Sequence, residues 1–317
     1  MNHRLTFALR ASAAAVLCLG ASAFAAPAID ANIELDNTSR EGSNVAAADR
    51  GLTQSGRVET NISNKAGDDL FVAGKAALIA KKDGTVATDD MWIQLGSSSV
   101  DVKLGRFEAA DLFPLQGDTV VNHAGTVYGA NTLRGRKAGD VFHAATTFNL
   151  GSGLAVELGL ISTTTNNLSG ATARGLRPVV SYASGPLSAR LGLEQGEYNS
   201  GNKVSGFGLT VGYDFGSFKL VGNYAQGKQD VAVNETQTGL GLSVAMGGFA
   251  AGIARGVNDA TGGNTTVQTS YMSYKMPLFG IQGASVTPAF SVSQVADSVA
   301  NTNKQESAVR VRLNYAF

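Results

Sequence analysis

The sequence predicts an all-β fold, a transmembrane antiparallel up-and-down β-barrel of about sixteen strands, with about fourteen as the alternative count. Three observations indicate this fold. The chain begins with an export signal, its apolar residues alternate with polar ones at every second position, and it ends in an alternating segment that closes with Phe317.

The first 25 residues have the features of a secretory signal peptide. Arg4 and Arg10 provide positive charge, residues 11–20 form a short apolar stretch, and Ala23-Phe24-Ala25 is a small-residue cleavage site. The apolar stretch is too short to span a bilayer, because a spanning helix needs about 20 apolar residues. We therefore predict a signal peptide at residues 1–25 and one transmembrane β-barrel domain at residues 26–317.

The charge balance and the cysteine count exclude several classes of function. Lys plus Arg total 25 against 25 Asp plus Glu, and loss of Arg4 and Arg10 with the signal leaves 23 basic residues. A nucleic-acid partner would call for a strong basic surplus. Cys18 lies in the signal, so the mature chain has no disulfide, and its two histidines show no metal-ligand spacing. We expect no cofactor and no metal site.

The first mature strand has one apolar and one polar face, because successive side chains of a strand point to opposite sides. The apolar set is Ile29, Ala31, Ile33 and Leu35, and the polar set is Asp30, Asn32, Glu34 and Asp36. Three carboxylates on one face would be costly to bury in a packed core. This pattern predicts an interior in contact with water and an exterior in contact with lipid.

The same alternation recurs along the whole chain. The further segments lie at 58–62, 70–78, 91–95, 100–104, 142–148, 154–160, 176–182, 187–194, 207–215, 218–224, 240–246, 249–253, 267–276, 286–292 and 309–317. Tight turns alternate with longer polar connections, which we place at 163–173, 195–203, 226–237 and 258–265. Short turns on one rim and long loops on the other are typical of membrane barrels. Small inward residues and about sixteen strands predict an aqueous channel.

Two segments resemble known barrels. The ending from Val309 to Phe317 resembles the C-terminal strand by which bacterial outer-membrane barrels are recognised for insertion. The Gly105-Arg106 end of the fifth strand, followed by Pro114 and Gly117-Asp118-Thr119, resembles the general and sugar-type porins of Gram-negative bacteria, most closely the raffinose-porin type. The resemblance implies a long third loop that folds into the barrel and narrows it, in the interruption from residue 108 to residue 139.

The resemblance also implies a function. Such porins are passive diffusion channels of the outer membrane for small hydrophilic solutes, either ions or oligosaccharides. They lie in outer-membrane lipid, and they are often homotrimers. The sequence leaves open the solute, the sign of ion selectivity and the oligomeric state.

By the same resemblance, Arg106 belongs to the basic side of the pore constriction. Alternation alone places Arg106 on the lipid side, so a position in the lumen requires a bulge near Gly105 or the end of the strand. We expect loop acids to face wall cations there, which would create a transverse field that biases selectivity. The predicted constriction set is Arg57, Lys75, Arg106, Glu108, Asp111, Phe113, Pro114, Asp118, Arg134 and Arg136. For each charge, the alternative is a solvated wall residue.

Aromatic residues give two further expectations. Phe107, Phe113 and Tyr128 could form a surface for sugar rings, although packing against the wall is the favoured interpretation. Aromatic girdles anchor barrels at both membrane interfaces. We place in them Trp92, Tyr182, Tyr213, Phe215, Tyr224, Tyr271, Tyr315 and Phe317.

An outer-membrane barrel enzyme, a protease or a phospholipase, is the alternative function. Such an enzyme would require a histidine, and only His123 and His143 remain after removal of the signal. Neither a G-x-S-x-G elbow nor a pair of acids at a rim accompanies them. We therefore predict no catalytic residues and no enzymatic activity. A closed structural barrel would be expected to have fewer strands and a filled lumen.

Overall fold

The structure of the protein is a computed structural model. The structure describes residues 26–43, 45, 50–67, 69–121, 131–135, 141–163, 173–198, 202–230, 234–260, 262–297 and 302–317. These residues form a single antiparallel sheet of β-strands and no helix. The fold is therefore all-β, as the sequence predicts.

The strands follow one another around the barrel in chain order. They are β1 (Ala28–Gly42), β2 (Gly51–Ala66), β3 (Leu70–Ala80), β4 (Val86–Gly96), β5 (Val100–Arg106), β6 (Val141–Gly151), β7 (Leu154–Thr163), β8 (Ala173–Ser184), β9 (Leu187–Tyr198), β10 (Lys203–Asp214), β11 (Lys219–Asp230), β12 (Asn234–Met246), β13 (Phe249–Ala260), β14 (Gly263–Tyr274), β15 (Met276–Pro277), β16 (Ala284–Asp297) and β17 (Thr302–Ala316). The two-residue β15 continues β14, and both pair with β16. The wall built from the described residues thus has sixteen strands, which confirms the predicted number.

The first and last strands close the barrel. Ile33 of β1 lies across from Val58 of β2 on one side and from Tyr315 of β17 on the other. The main chains of Ala31 and Phe317 exchange two hydrogen bonds, at 2.8 and 2.9 Å. Closure is necessary because an open edge would leave unpaired backbone groups in lipid.

The two faces of the wall differ as the alternation predicts. Large apolar side chains such as Ile33, Leu78 and Leu160 are exposed on the outside. Side chains on the opposite phase, such as Thr269 and Ser291, are buried inside the barrel. The outer face suits a hydrocarbon environment, and the inner face carries hydrogen-bonding groups.

The two rims also differ, although less than predicted. Residues 67–69, 97–99, 152–153, 185–186, 215–218, 247–248 and 278–283 connect strands at one rim, which we call the short-turn rim, and the other connections lie at the loop rim. The predicted loops at 226–237 and 258–265 are too long. β11 continues to Asp230, and β13 ends at Ala260, with two residues between it and the start of β14. The prediction failed because the strands continue with polar residues beyond the point where apolar alternation stops.

The short-turn rim carries an aromatic girdle. Phe215 stacks on Phe218 with 4.6 Å between ring centroids, and Tyr315 stacks on Phe317 at 5.3 Å. Tyr271 does not belong to the girdle, since it is buried inside the barrel. Trp92 lies on the phase opposite the exposed Met91 and Ile93, so it also points inward. The prediction was wrong for these two residues because strand phase, and not distance from a strand end, decides the face.

Candidate functional site

The segment between β5 and β6 runs along the inside of the barrel wall. Its described part comprises residues 107–121, which we call the inward arm, and residues 131–135, which we call the return arm. The inward arm passes strand after strand from β7 to β17. This is the inward-folded third loop that the sequence predicts.

Side chains of the wall hold the backbone of the inward arm. The bonds are Ala110 N–H to Glu157 (3.1 Å), Arg190 to the Asp111 carbonyl (2.7 Å), Asn223 to the Pro114 carbonyl (2.7 Å), Gln116 N–H to Ser243 (3.1 Å), Tyr271 to the Gln116 carbonyl (2.7 Å), Asp118 N–H to Ser273 (3.0 Å) and Val120 N–H to Ser291 (2.9 Å). A segment inside a barrel has no neighbouring strand, so its polar backbone groups need such partners. Serines of the inner wall supply three of these partners, and larger polar side chains supply the other four.

Glycines on the inner wall make room for the apolar side chains of the inward arm. A Cβ atom at Gly192 would lie 2.5 Å from Leu112 Cδ2, and one at Gly241 would lie 2.8 Å from Phe113 Cε1. The side chains of Leu112 and Phe113 are 0% and 2% exposed. Phe113 therefore fills the space between loop and wall. Its ring does not line the lumen, although Phe113 belongs to the predicted constriction set.

A buried ion pair in the wall anchors the return arm. Arg177 of β8 and Glu194 of β9 are each 1% exposed, and Arg177 Nε lies 3.1 Å from the Glu194 carboxylate. The Leu133 N–H donates to Glu194 at 3.1 Å, and Arg177 Nη2 donates to Asn131 Oδ1 at 2.8 Å. Asn131 in turn donates to Asp111 at 2.8 Å. The pair thus connects the wall to both arms of the loop.

Two predicted loop acids are paired within the loop itself. Arg134 Nη1 lies 3.2 Å from Glu108 and 3.3 Å from Asp111. Arg134 Nε also donates to the Ala109 carbonyl at 3.0 Å. Arg134, Glu108 and Asp111 therefore come together as a group, but they form a clamp between the two arms instead of facing a basic wall. Arg136 lies outside the described residues, as do His123 and Tyr128.

Asp118 is the loop acid that faces the wall. It forms an ion pair with Arg310 of β17 and lies 3.8 Å from Arg312 Nη1. Arg312 also pairs with Asp36 at 2.7 Å and with Glu34 at 3.0 Å. Neither arginine is among the constriction residues predicted from the sequence. The closing register, which places Arg312 directly across from Asp36, brings them there.

The predicted cations Arg57 and Lys75 lie on the wall and pair with wall acids. Arg57 is 2.9 Å from both Glu59 and Asp89, and Lys75 is 3.0 Å from Glu59. Asp90 lies 3.5 Å from both cations. We expected loop acids to face these cations. In the described ion pairs, the cations instead face acids of the wall.

A β-bulge explains why two consecutive acids enter this group. The β3–β4 register passes from Ala76 opposite Met91 to Leu78 opposite Thr88, so Asp89 and Asp90 together oppose one residue. Both aspartates are buried inside the barrel. Two adjacent acids in a strand break strict alternation, and this was the signal in the sequence that could have revealed the bulge.

Arg106 lies at the edge of the same group. It is the last residue of β5, which is the strand-end position that a site in the lumen required, and its Nε donates to the Asp89 carbonyl at 2.8 Å. The preceding Gly105 has a φ of 124°, a conformation that favours glycine. Arg106 thus lies at the end of its strand, and this hydrogen bond holds its side chain against the bulge.

The aromatic residues near this wall pack against one another. Phe107 is buried and stacks on His143 with 3.8 Å between ring centroids, and His143 Nδ1–H donates to the Phe107 carbonyl at 3.0 Å. Lys103 Nζ lies 4.3 Å from the Trp92 ring centroid. The packing interpretation therefore holds for Phe107 and Phe113, which present no open face to a sugar ring.

A closed sixteen-stranded barrel with an apolar exterior, a charged interior and an inward loop defines a channel of the porin class. The Gram-negative porin family matches residues 11–276, so the chain belongs to that family. The protein is accordingly an outer-membrane channel of a Gram-negative bacterium.

Solved structures of outer-membrane proteins share the fold. The trimer form of OmpT of Vibrio cholerae superposes with a TM-score of 0.70 at 12% identity, over 92% of this chain and 100% of that chain. An anion-selective porin from Comamonas acidovorans gives 0.61 at 16% identity, over 92% and 99%. The outer membrane channel DcaP of Acinetobacter baumannii gives 0.65 at 10% identity, over 92% and 97%. No curated protein matches the chain.

Proposed function

We propose that the protein is a passive diffusion pore for small hydrophilic solutes and that inorganic ions are its principal solutes. The observation that carries this proposal is the attachment of the inward arm along the wall from β7 to β17. Because the loop is attached to that side of the barrel, the path for solutes lies between the loop and the opposite wall, which is formed by β1 to β5. A cavity of about 360 Å³ on the short-turn side of Asp118, lined in part by Glu34 and Arg312, supports such a passage.

The proposed constriction differs in composition from the set predicted by sequence. Neighbouring strands β17, β1, β2, β3 and β4 carry an unbroken strip of inward charges, which we call the charge strip. Its members are Glu34, Asp36, Arg57, Glu59, Lys75, Asp89, Asp90, Arg310 and Arg312, with Asp118 facing it from the loop. These ten residues include six carboxylates and four cations. Charged walls of low dielectric bias the local ion concentration, so this surplus favours cations.

Oligosaccharide passage is the second candidate. Its support is the resemblance of the Gly105-Arg106 strand end and the Pro114 to Thr119 stretch to sugar-type porins. Because the rings of Phe107 and Phe113 are buried, a sugar would have to bind through hydrogen bonds to the charge strip instead of stacking on those rings.

Two further parts of the proposal concern activity and assembly. Membership of the porin family supports a channel without catalysis, and His143, the mature-chain histidine that the structure describes, is buried against Phe107. The chain assembles as a homotrimer after removal of residues 1–25. The trimer form of the similar Vibrio cholerae protein supports this assembly.

Single-channel recording tests the proposal. The refolded chain without residues 1–25 is placed in a planar bilayer, and the current is recorded with and without raffinose on one side. Discrete conductance steps in groups of three, without block by raffinose, are expected. Concentration-dependent block by raffinose would instead favour the oligosaccharide candidate. A silent bilayer containing protein that is folded and inserted would contradict the pore.

A further inference from the structure

A groove of about 930 Å³ lies on the barrel near the loop rim, on strands β6 to β11. Its floor contains three exposed apolar side chains. Phe142, Leu160 and Leu176 are 61%, 52% and 46% exposed. Charged side chains border the floor, so the groove combines an apolar base with an ionic edge.

The strand register arranges the groove in two rows. The lower row, from β7 to β11, is Leu160, Leu176, Gln195, Ser205 and Lys228. The upper row, from β7 to β10, is Ser162, Arg174, Glu197 and Lys203. Asp230 follows Lys228 on the same face of β11. Each row runs across adjacent strands and faces one side of the sheet.

These rows face the lipid side of the wall. Arg174 has the same strand phase as the exposed Leu176, and Lys203 has the same phase as the exposed Leu209. Arg177 and Val204, on the opposite phase, are buried inside. The groove is therefore separate from the channel, and it lies where the apolar band of the exterior gives way to polar residues.

We propose that this groove binds a phosphate-bearing lipid of the outer leaflet. Its acyl chains lie on Phe142, Leu160 and Leu176, and its phosphate groups accept hydrogen bonds from Arg174, Lys203 and Lys228. Long basic side chains extend from an apolar surface toward the headgroup level, and basic pockets of membrane proteins bind anionic headgroups there. The proposal concerns the exterior, so it does not depend on conduction.

The charges of the groove support an anionic occupant. Three cations stand against the two acids Glu197 and Asp230. Within the described part of the chain, no carboxylate lies within 4.0 Å of the charged nitrogens of Arg174, Lys203 or Lys228. Cations at the edge of a hydrocarbon phase are costly without a counter-charge.

The spacing of the upper cations suits a phosphate group. Arg174 and Lys203 lie on either side of Glu197 of β9, which the register places directly across from both. Adjacent strands lie about 4.8 Å apart, so the two backbones are roughly 10 Å apart, and both long side chains can extend beyond the shorter Glu197 side chain to one anion. Hydrogen bonds from charged donors to phosphate are short and strong, which makes this a selective contact.

Lipid retention by the intact mature channel tests the inference. Purified protein is mixed with lipid A carrying two phosphates, or with the same lipid after enzymatic dephosphorylation, and bound lipid is counted by native mass spectrometry. We expect the wild type to prefer the phosphorylated lipid. The triple variant Arg174→Gln, Lys203→Gln and Lys228→Gln should bind it about ten-fold more weakly or worse. Conductance should not change, because the variant leaves the lumen intact.

Two controls accompany the triple variant. Arg255→Gln removes an exposed cation from β13, outside the groove, and should leave lipid binding unchanged. The three single variants are measured in parallel, so a triple variant that fails to fold still leaves a result. Each single variant should weaken binding by a few-fold. Lys203→Arg, which keeps the charge, should bind as the wild type does.

Three outcomes would overturn the inference. The first is equal binding of phosphorylated and dephosphorylated lipid by the wild type. The second is unchanged binding by all of the Gln variants. The third is dissociation of an assembled oligomer in the triple variant, which would identify the groove as a contact between copies of the chain.

Discussion

Replacement of Arg177 by Ala tests how the inward loop is held in place. The change removes one partner of an ion pair whose two members are each 1% exposed. Glu194 then keeps its bond to the Leu133 N–H but loses the guanidinium 3.1 Å away, and Asn131 loses its donor. Removal of one partner from a buried ion pair costs about 3–5 kcal/mol. We expect a loss of that size in the free energy of unfolding.

The assay is urea unfolding of the refolded protein in lipid vesicles, followed by tryptophan fluorescence. Trp92 is the single tryptophan and lies on the inner face. The matched control is Arg190→Ala, which removes a half-buried arginine bonded to the Asp111 carbonyl and should cost about 1–2 kcal/mol. Arg177→Ala should also raise current noise, because the return arm loses its anchor. A cost for Arg177→Ala no greater than that of the control would refute this explanation.

Three further predictions concern the loop, the charge strip and the chain end. Gly241→Val should destabilise the barrel by about 1–3 kcal/mol in the same urea assay, because its Cβ would lie 2.8 Å from the Phe113 ring. The double change Asp89→Asn and Asp90→Asn removes two negative charges beside cations that remain, so the reversal potential in a salt gradient should shift toward anions. Deletion of Phe317 removes the two backbone bonds at the end of the ladder between the first and last strands, and the yield of barrel resisting SDS at room temperature should fall.

Two of these predictions have a control variant, and the third has an outcome that would contradict it. Gly222→Ala should have little effect, because nothing lies within 4 Å of its added Cβ. Phe279→Ser removes an exposed aromatic residue without touching the closing bonds and should preserve the yield. An unchanged reversal potential in the Asp89 and Asp90 double variant would show that the bulge does not border the ion path.

The barrel wall could be predicted from sequence because it depends on a local property. Alternation of apolar and polar residues was sufficient to locate each strand, since the side-chain period of two is set within a few residues. Strand lengths were underestimated where polar residues continue a strand beyond the lipid, as at Asp230 and Ala260. The inward loop was expected from its position after the fifth strand.

The partners of the loop could not be predicted in the same way. Asp118 pairs with Arg310, 192 residues away, and Gln116 accepts a bond from Tyr271, 155 residues away. Such contacts depend on closure of the barrel and on the path of the loop, and neither leaves a local pattern in the chain. The bulge at Asp89 and Asp90 is different, because the two adjacent acids were visible in the sequence.

The most direct test of the pore uses the absence of cysteine from the chain after residue 25. Glu59→Cys places a thiol on the inner face, and Val58→Cys places one on the exposed outer face of the same strand. A charged methanethiosulfonate reagent is added while single channels are recorded. Stepwise changes in conductance with Glu59→Cys, and none with Val58→Cys, are the expected result. Equal behaviour of the two variants would contradict an ion path along the charge strip.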